Sequence, residues 1–386
     1  MPDPHAISHH KRVFAAVAAL LVVFVVVGAG EMLARTQPPV DVAALTTPGE
    51  QPHPMRGWAF VHPYAAYVNR PLADPQAKKS VNRFGFISTP QMEEVAKPAG
   101  RIRVAFLGGS STAGTGTLLA DKDTWPYLTY QRMKEARPDL DLEMINAAVG
   151  GYTSFDSYGR LWSQVRFFAP DIIVVYHGWN EMYYFDDASP EKIIHRRFEG
   201  DRDWSFTPVK LPPRLKPWPT DSLLSRSRLY GLLRLRTVAA PAATTGEAGD
   251  ERRPDAELAD HFDARGVEVF RQNLLLMQRV AELTGADFYV AKQATLVHPS
   301  LPEEIRRERV FTWRHAFNYA THLQAWQAIN EMIDAAFPAE RVIDCTPLSG
   351  NPALLFDHIH PTPQGTREIA KIVAGKLLAE SQTLRR

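Results

Sequence analysis

Five short apolar runs decide what this chain can fold into: IRVAFLG (102–108), LEMINAAV (142–149), DIIVVYHG (171–178), ADFYVAKQ (286–293) and RVIDC (341–345). Each has the length of a strand and carries β-branched or aromatic side chains. None alternates polar with apolar residues, which is the pattern of a parallel strand buried on both faces. Between the runs the apolar spacing turns helical. In 261–284, Val267, Phe270, Leu274, Met277 and Ala281 recur at three- and four-residue steps, and after Thr362-Pro363 so do Ile369, Ile372, Val373 and Leu377. Strands alternating with helices predict a doubly wound α/β domain with a central parallel sheet. With 386 residues, 45% of them hydrophobic, the chain is able to bury such a core.

The amino terminus obeys a different rule. VFAAVAALLVVFVVVGAG (13–30) holds no charge, and as a helix it reaches about 27 Å at ~1.5 Å per residue, close to the hydrocarbon thickness of a bilayer. Lys11 and Arg12 precede it, whereas Glu31 and Arg35 offset each other after it. The positive side faces the cytoplasm, so residues 1–12 form a cytoplasmic tail and the body of the protein lies outside the inner membrane. The competing reading is a cleaved signal peptide, with small Gly28 and Gly30 near the cleavage site, and a secreted product.

Residues 31–56 are rich in proline and threonine and read as a linker, with the globular domain spanning 57–386. An insertion or lid over 182–260 interrupts the alternation of strands and helices. Its first part holds Tyr183, Tyr184, Phe185, Trp204, Phe206 and Trp218, and 239–257 is low in apolar residues and reads as a mobile loop. Within it, LLSRSRLYGLLRLR (223–236) mixes leucine with arginine. Such a stretch either packs its leucines inward or touches the membrane surface beside the anchor.

The 44 basic and 43 acidic residues nearly cancel, which leaves no overall field to draw the protein onto nucleic acid. Cys345 is the single cysteine, so there is no internal disulfide and no cysteine-based metal cluster. It reads as a small buried hydrophobe.

Function in an open α/β sheet gathers at the carboxyl ends of the strands. The first run leads into GGSSTAG (108–114), which has three familiar readings. A phosphate-binding P-loop requires lysine where Thr115 stands. A dinucleotide fingerprint requires a third glycine where Leu119 stands, and the α/β-hydrolase elbow requires glycine where Thr112 stands. What survives is Ser110, presented at a strand exit beside Gly108 and Gly109. After the second run Gly150 and Gly151 are placed to aim a backbone N–H at a negative oxygen, and after the third Asn180 offers an amide donor. Asn180 also suits a helix cap. Near the carboxyl terminus, DHIHPTPQG (357–365) sets Asp357 three residues before His360. Nucleophile, base, orienting carboxylate and oxyanion donors are the complete set for acyl transfer. His358 and His360 lack the companions of a metal motif, so neither metal nor cofactor is expected. His177, Asp344 and Ser111 read as structural.

These four stretches resemble the blocks of the GDSL or SGNH hydrolase superfamily over about residues 100–380, and in the same order. The resemblance implies a flavodoxin-like three-layer αβα sandwich, behind the membrane anchor, and a serine esterase. It assigns Ser110 as nucleophile, Asp357 and His360 as the closing D-x-x-H, and Ser110, Gly151 and Asn180 as the oxyanion hole. One position departs: Gly109 stands where many members have aspartate. The expected substrate is an acylated small molecule, lipid or polysaccharide, O-acetyl esters among them. Two other readings keep the same fold: an O-acyltransferase acting on a surface polysaccharide, and a non-catalytic glycan-binding module.

Overall fold

Strands β1 (Ile102–Gly108), β2 (Leu142–Asn146), β3 (Ile172–His177), β4 (Asp287–Lys292) and β5 (Val342–Asp344) form one sheet in the order β2-β1-β3-β4-β5, and every pairing is parallel. This is the flavodoxin-like order, in which the chain reverses direction across the sheet at β1 and β3. In the computed structural model the described residues are 4–37, 40, 42, 49–51, 58–60, 67–69, 80–87, 92, 94–114, 120–186, 209–211, 218–224, 226–236, 255–310, 315 and 317–385. Most of 36–56, residues 187–208 of the expected lid with Trp204 and Phe206, and 237–254 lie outside them.

Both faces of the sheet are covered, which is why the strands read as unbroken apolar runs. Helices Trp125–Ala136 and Pro363–Glu380 pack together as one layer, and Ser154–Ser163, Arg265–Thr284 and Tyr319–Ala336 pack together as another. The helix Pro363–Glu380 starts where the sequence marked it, at Thr362-Pro363. Thr362 caps Pro363–Glu380 by accepting the Gly365 N–H, and Asn318 caps Tyr319–Ala336 by accepting the Thr321 N–H. Gly285 closes Arg265–Thr284 in the left-handed conformation, at φ 74°. Cys345 is buried, as a small hydrophobe, and burial pushes its thiol far above the ordinary value.

Two buried arginines secure the loops around the sheet. Arg103 on β1 pairs with Glu143 on β2 and donates to the carbonyls of Val95 and Phe168, both at 2.7 Å. Arg160 reaches the carbonyls of Ala147 at 2.6 Å and Gly85 at 2.9 Å. A planar guanidinium with several donors satisfies carbonyls that leave regular structure inside the core.

These elements belong to the compact unit formed by Pro52–Thr207 and Glu251–Arg386; a second unit comprises Met1–Gln51 and Pro208–Asp250. In that second unit the helix Pro4–Ala34 contains a span, Ala16–Ala34, long and apolar enough to cross a membrane, with its large apolar side chains exposed. The helix Arg228–Arg236 is fastened to it. The Glu31 carboxylate accepts the Ser227 hydroxyl at 2.7 Å and the N–H groups of Arg228 and Leu229 at 3.1 and 3.0 Å, so one helix caps the amino terminus of another.

Candidate active site

Each of the candidate residues follows the carboxyl end of a strand, as the sheet order requires. Ser110 opens a single helical turn, Ser110–Ala113, directly after β1. The turn is tight because Gly108 has no room for a side chain: a Cβ there would lie 2.8 Å from the Tyr176 carbonyl oxygen and still closer to Thr112. Gly151 follows β2 at φ 81°, in the left-handed region that favours glycine. Asn180 lies in the 3-10 turn Trp179–Tyr184 after β3, so its role as a helix cap does not apply; the residue before that turn is Gly178.

The structure brings Ser110, His360 and Asp357 into one hydrogen-bonded row. His360 Nε2 lies 2.8 Å from Ser110 Oγ across 250 positions of chain, and His360 Nδ1 lies 2.7 Å from Asp357 Oδ2. The other carboxylate oxygen of Asp357 accepts the N–H of His360 at 2.8 Å and of Ile359 at 3.0 Å. The aspartate thus holds both the ring and the backbone of its histidine, closing the 357–360 loop on itself. Burial alone would raise the Asp357 carboxyl. The adjacent His360 charge and its hydrogen bond, with His358 and the Ile359 N–H, outweigh burial and hold it well below the usual carboxylate range. It therefore stays ionised and keeps the Nδ1 proton of His360 in place.

Asn180 lies against Gly109, the residue before Ser110. Its Nδ2 donates to the Tyr152 carbonyl at 2.9 Å, which ties the loop after β3 to the loop after β2. Position 109 is crowded in this chain. A Cβ on Gly109 would lie 2.9 Å from Asn180 Nδ2 and 3.2 Å from the Tyr152 oxygen, so the amide fills the space that a side chain would need.

Three further side chains position these loops, and sequence reasoning did not single them out. Gln293, just past β4, donates to Ser111 Oγ at 3.1 Å and accepts the Trp179 N–H at 2.9 Å. The buried Glu181 carboxylate takes the N–H and the hydroxyl of Ser154, both at 2.7 Å, and Asn273 donates to that hydroxyl at 3.0 Å. These bonds join segments distant in sequence, and no local motif announces them. His177, Asp344 and Ser111 are all engaged in bonds of this supporting kind: Ser157 Oγ lies 2.8 Å from His177 Nε2, and Asp344 accepts from Thr346.

Asp357, His358 and His360 bring three potential ligand atoms within 4.8 Å of one another. His360 uses one nitrogen on Asp357 and the other on Ser110, so a metal ion there would have to displace one of them. His358 is buried against the ring of Trp179, centroids 4.0 Å apart.

No family model matches the chain, and no curated protein matches it. Solved structures do. One is TesA, 16% identical over 71% of this chain and 97% of that protein, with a TM-score of 0.38. A Desulfitobacterium hafniense protein placed in the G-D-S-L lipolytic family is 12% identical over 71% of this chain and 99% of its own, TM-score 0.36. An acetyl xylan esterase from Geobacillus stearothermophilus is 12% identical over 72% and 94%, TM-score 0.37.

Proposed function

We propose that the chain is a serine hydrolase of the SGNH type that cleaves carboxylic ester bonds. The observation that carries this reading is the unbroken row Ser110 Oγ, His360 Nε2, His360 Nδ1, Asp357 Oδ2, with neighbouring atoms at 2.8 and 2.7 Å. In the first step His360 takes the Ser110 proton as Oγ bonds to the ester carbonyl carbon. The tetrahedral oxyanion is met by the backbone N–H groups of Ser110 and Gly151 and by the Asn180 amide. His360 then gives its proton to the leaving alcohol as the ester C–O bond breaks, and an acyl-serine remains. In the second step His360 takes a proton from water, the hydroxide oxygen bonds to the acyl carbon, and the carboxylic acid departs as Ser110 regains its proton.

The helix containing Ala16–Ala34, with Lys11 and Arg12 ahead of its apolar stretch, supports a single-pass anchor that leaves the esterase outside the cytoplasmic membrane. The substrates within reach of such an enzyme are acylated lipids and polysaccharides.

A fluorophosphonate probe tests the core of the proposal. The full chain labels once and Ser110→Ala does not. Absence of labelling, together with intact esters across several acyl lengths, would leave the non-catalytic reading standing.

A further inference from the structure

The unit that holds the anchor helix also displays large apolar side chains that are exposed. Leu223 is 80% exposed, Leu233 52% and Trp218 47%, and Leu224 is exposed as well. They lie on a folded segment. Asp221 accepts from Arg234 Nε at 2.8 Å, from the Tyr230 hydroxyl at 2.6 Å and from the Trp218 N–H at 2.7 Å, and the Arg234 guanidinium sits 4.0 Å from the centre of the Trp218 ring. On the anchor reading, the segment's contacts with the anchor set its level along the membrane normal. Glu31 binds the start of helix Arg228–Arg236, Leu229 packs so closely on Gly30 that a Cβ there would lie 2.9 Å from it, and Val40 packs on Gly231. The uncharged stretch of the anchor ends at Gly30, and one helical turn is about 5.4 Å, so a helix fastened to residues 30 and 31 starts at the level of the headgroups.

We infer that Trp218–Arg236 is a membrane-surface platform that lays Trp218, Leu223, Leu224 and Leu233 into the headgroup region of the bilayer its own anchor spans. Leucine and tryptophan dip into the acyl boundary while arginine stays at the polar level, the composition of an interfacial segment. Four arginines against one aspartate in 218–236 suit anionic headgroups. The inference rests on the anchor reading: a chain cut after residue 30 loses the packing of Leu229 on Gly30 and the helix that carries Glu31.

The test uses the full chain in nanodiscs of phosphatidylethanolamine and phosphatidylglycerol at three to one. Nitroxide labels are placed on Leu223→Cys and Leu233→Cys, with Leu283→Cys, exposed on helix Arg265–Thr284, as the aqueous control; the native Cys345 is buried and does not compete. The ratio of oxygen to water-soluble nickel-chelate accessibility is expected to be several-fold higher at 223 and 233 than at 283. Equal ratios on a chain of intact mass overturn the platform and leave the anchor standing. A mass lacking the first 30 residues overturns both.

Discussion

The amide nitrogen of Asn180 occupies the place beside Gly109 that a side chain would fill, 2.9 Å from where the Cβ would stand. Position 109 and the proposed oxyanion donor are therefore one unit. Gly109→Ala is expected to keep its fold and to push the amide away from the reacting carbonyl. Asn180→Ala should lower kcat by roughly 10²–10³, the usual cost of one oxyanion donor, and Gly109→Ala should lower it by a smaller factor with little change in KM. Steady-state kinetics on a short-chain aryl ester measures both. If Gly109→Ala runs at wild-type kcat, the coupling between the two residues is wrong.

Ser110→Ala and His360→Ala should each remove nearly all turnover, and the double variant should be no worse than either, because the two side chains act as one device. Asp357→Asn should cost roughly 10⁴ in kcat by analogy with other triads, since an amide that donates toward Nδ1 selects the wrong tautomer. An Asp357→Asn enzyme within a few-fold of wild type would mean that some other group orients the ring.

Glu181 touches no substrate in the proposed mechanism; it fastens the loop after β3 to Ser154, the first residue of the helix that follows the loop after β2. Glu181→Gln keeps the shape but replaces one acceptor with a donor that faces the Ser154 N–H or hydroxyl. It should lower kcat through the proposed donors Gly151 and Asn180 while KM stays within about twofold. The readout that separates positioning from simple destabilisation is kcat measured well below the melting transition, where the folded fraction is complete.

His177 gives a pH dependence that is independent of catalysis. It is buried beside Ser157, Glu181 and Asp156, and burial lowers its pKa from 6.5 to about 3 despite the nearby Asp156 charge. The unfolded chain binds the proton more readily, so the contribution of His177 is complete above pH 6.5 and is lost as pH falls toward 3. The loss is up to about 1.4 kcal/mol per pH unit within that window. Urea unfolding between pH 7 and pH 4.5 should show declining stability, and His177→Gln should flatten the slope. An unchanged slope in that variant would assign the acid sensitivity elsewhere.

The buried pair Arg103–Glu143 ties β1 to β2 and to the carbonyls of Val95 and Phe168. Arg103→Met leaves the carboxylate with only the longer Arg101 contact at 3.4 Å and strands those carbonyls in the core, and about 3–5 kcal/mol of stability should go with it. Chemical denaturation of the two proteins measures this, and a loss under about 1 kcal/mol would show that the pair is dispensable.

The sheet was readable from sequence because a strand buried on both faces cannot hide its composition. Its boundaries were less so. Ala147 and Val149 extend the second run beyond the observed end at Asn146: they are buried and still donate to the carbonyls of Phe106 and Gly108, so burial and bonding to β1 both outlast the regular strand. The row Ser110, His360 and Asp357 was readable because each residue sits at a strand exit or in the compact D-x-x-H. Gln293 and Glu181 were not, since their partners lie 182 and 27 positions away and a lone glutamine or glutamate carries no such address.

A separation of 250 residues between Ser110 and His360 also sets an order of events in time. At ribosomal rates of about 5–20 residues per second, the serine exists for roughly 10–50 seconds before the imidazole that activates it is made. On the proposed mechanism the growing polypeptide carries no more than an ordinary alcohol through that interval.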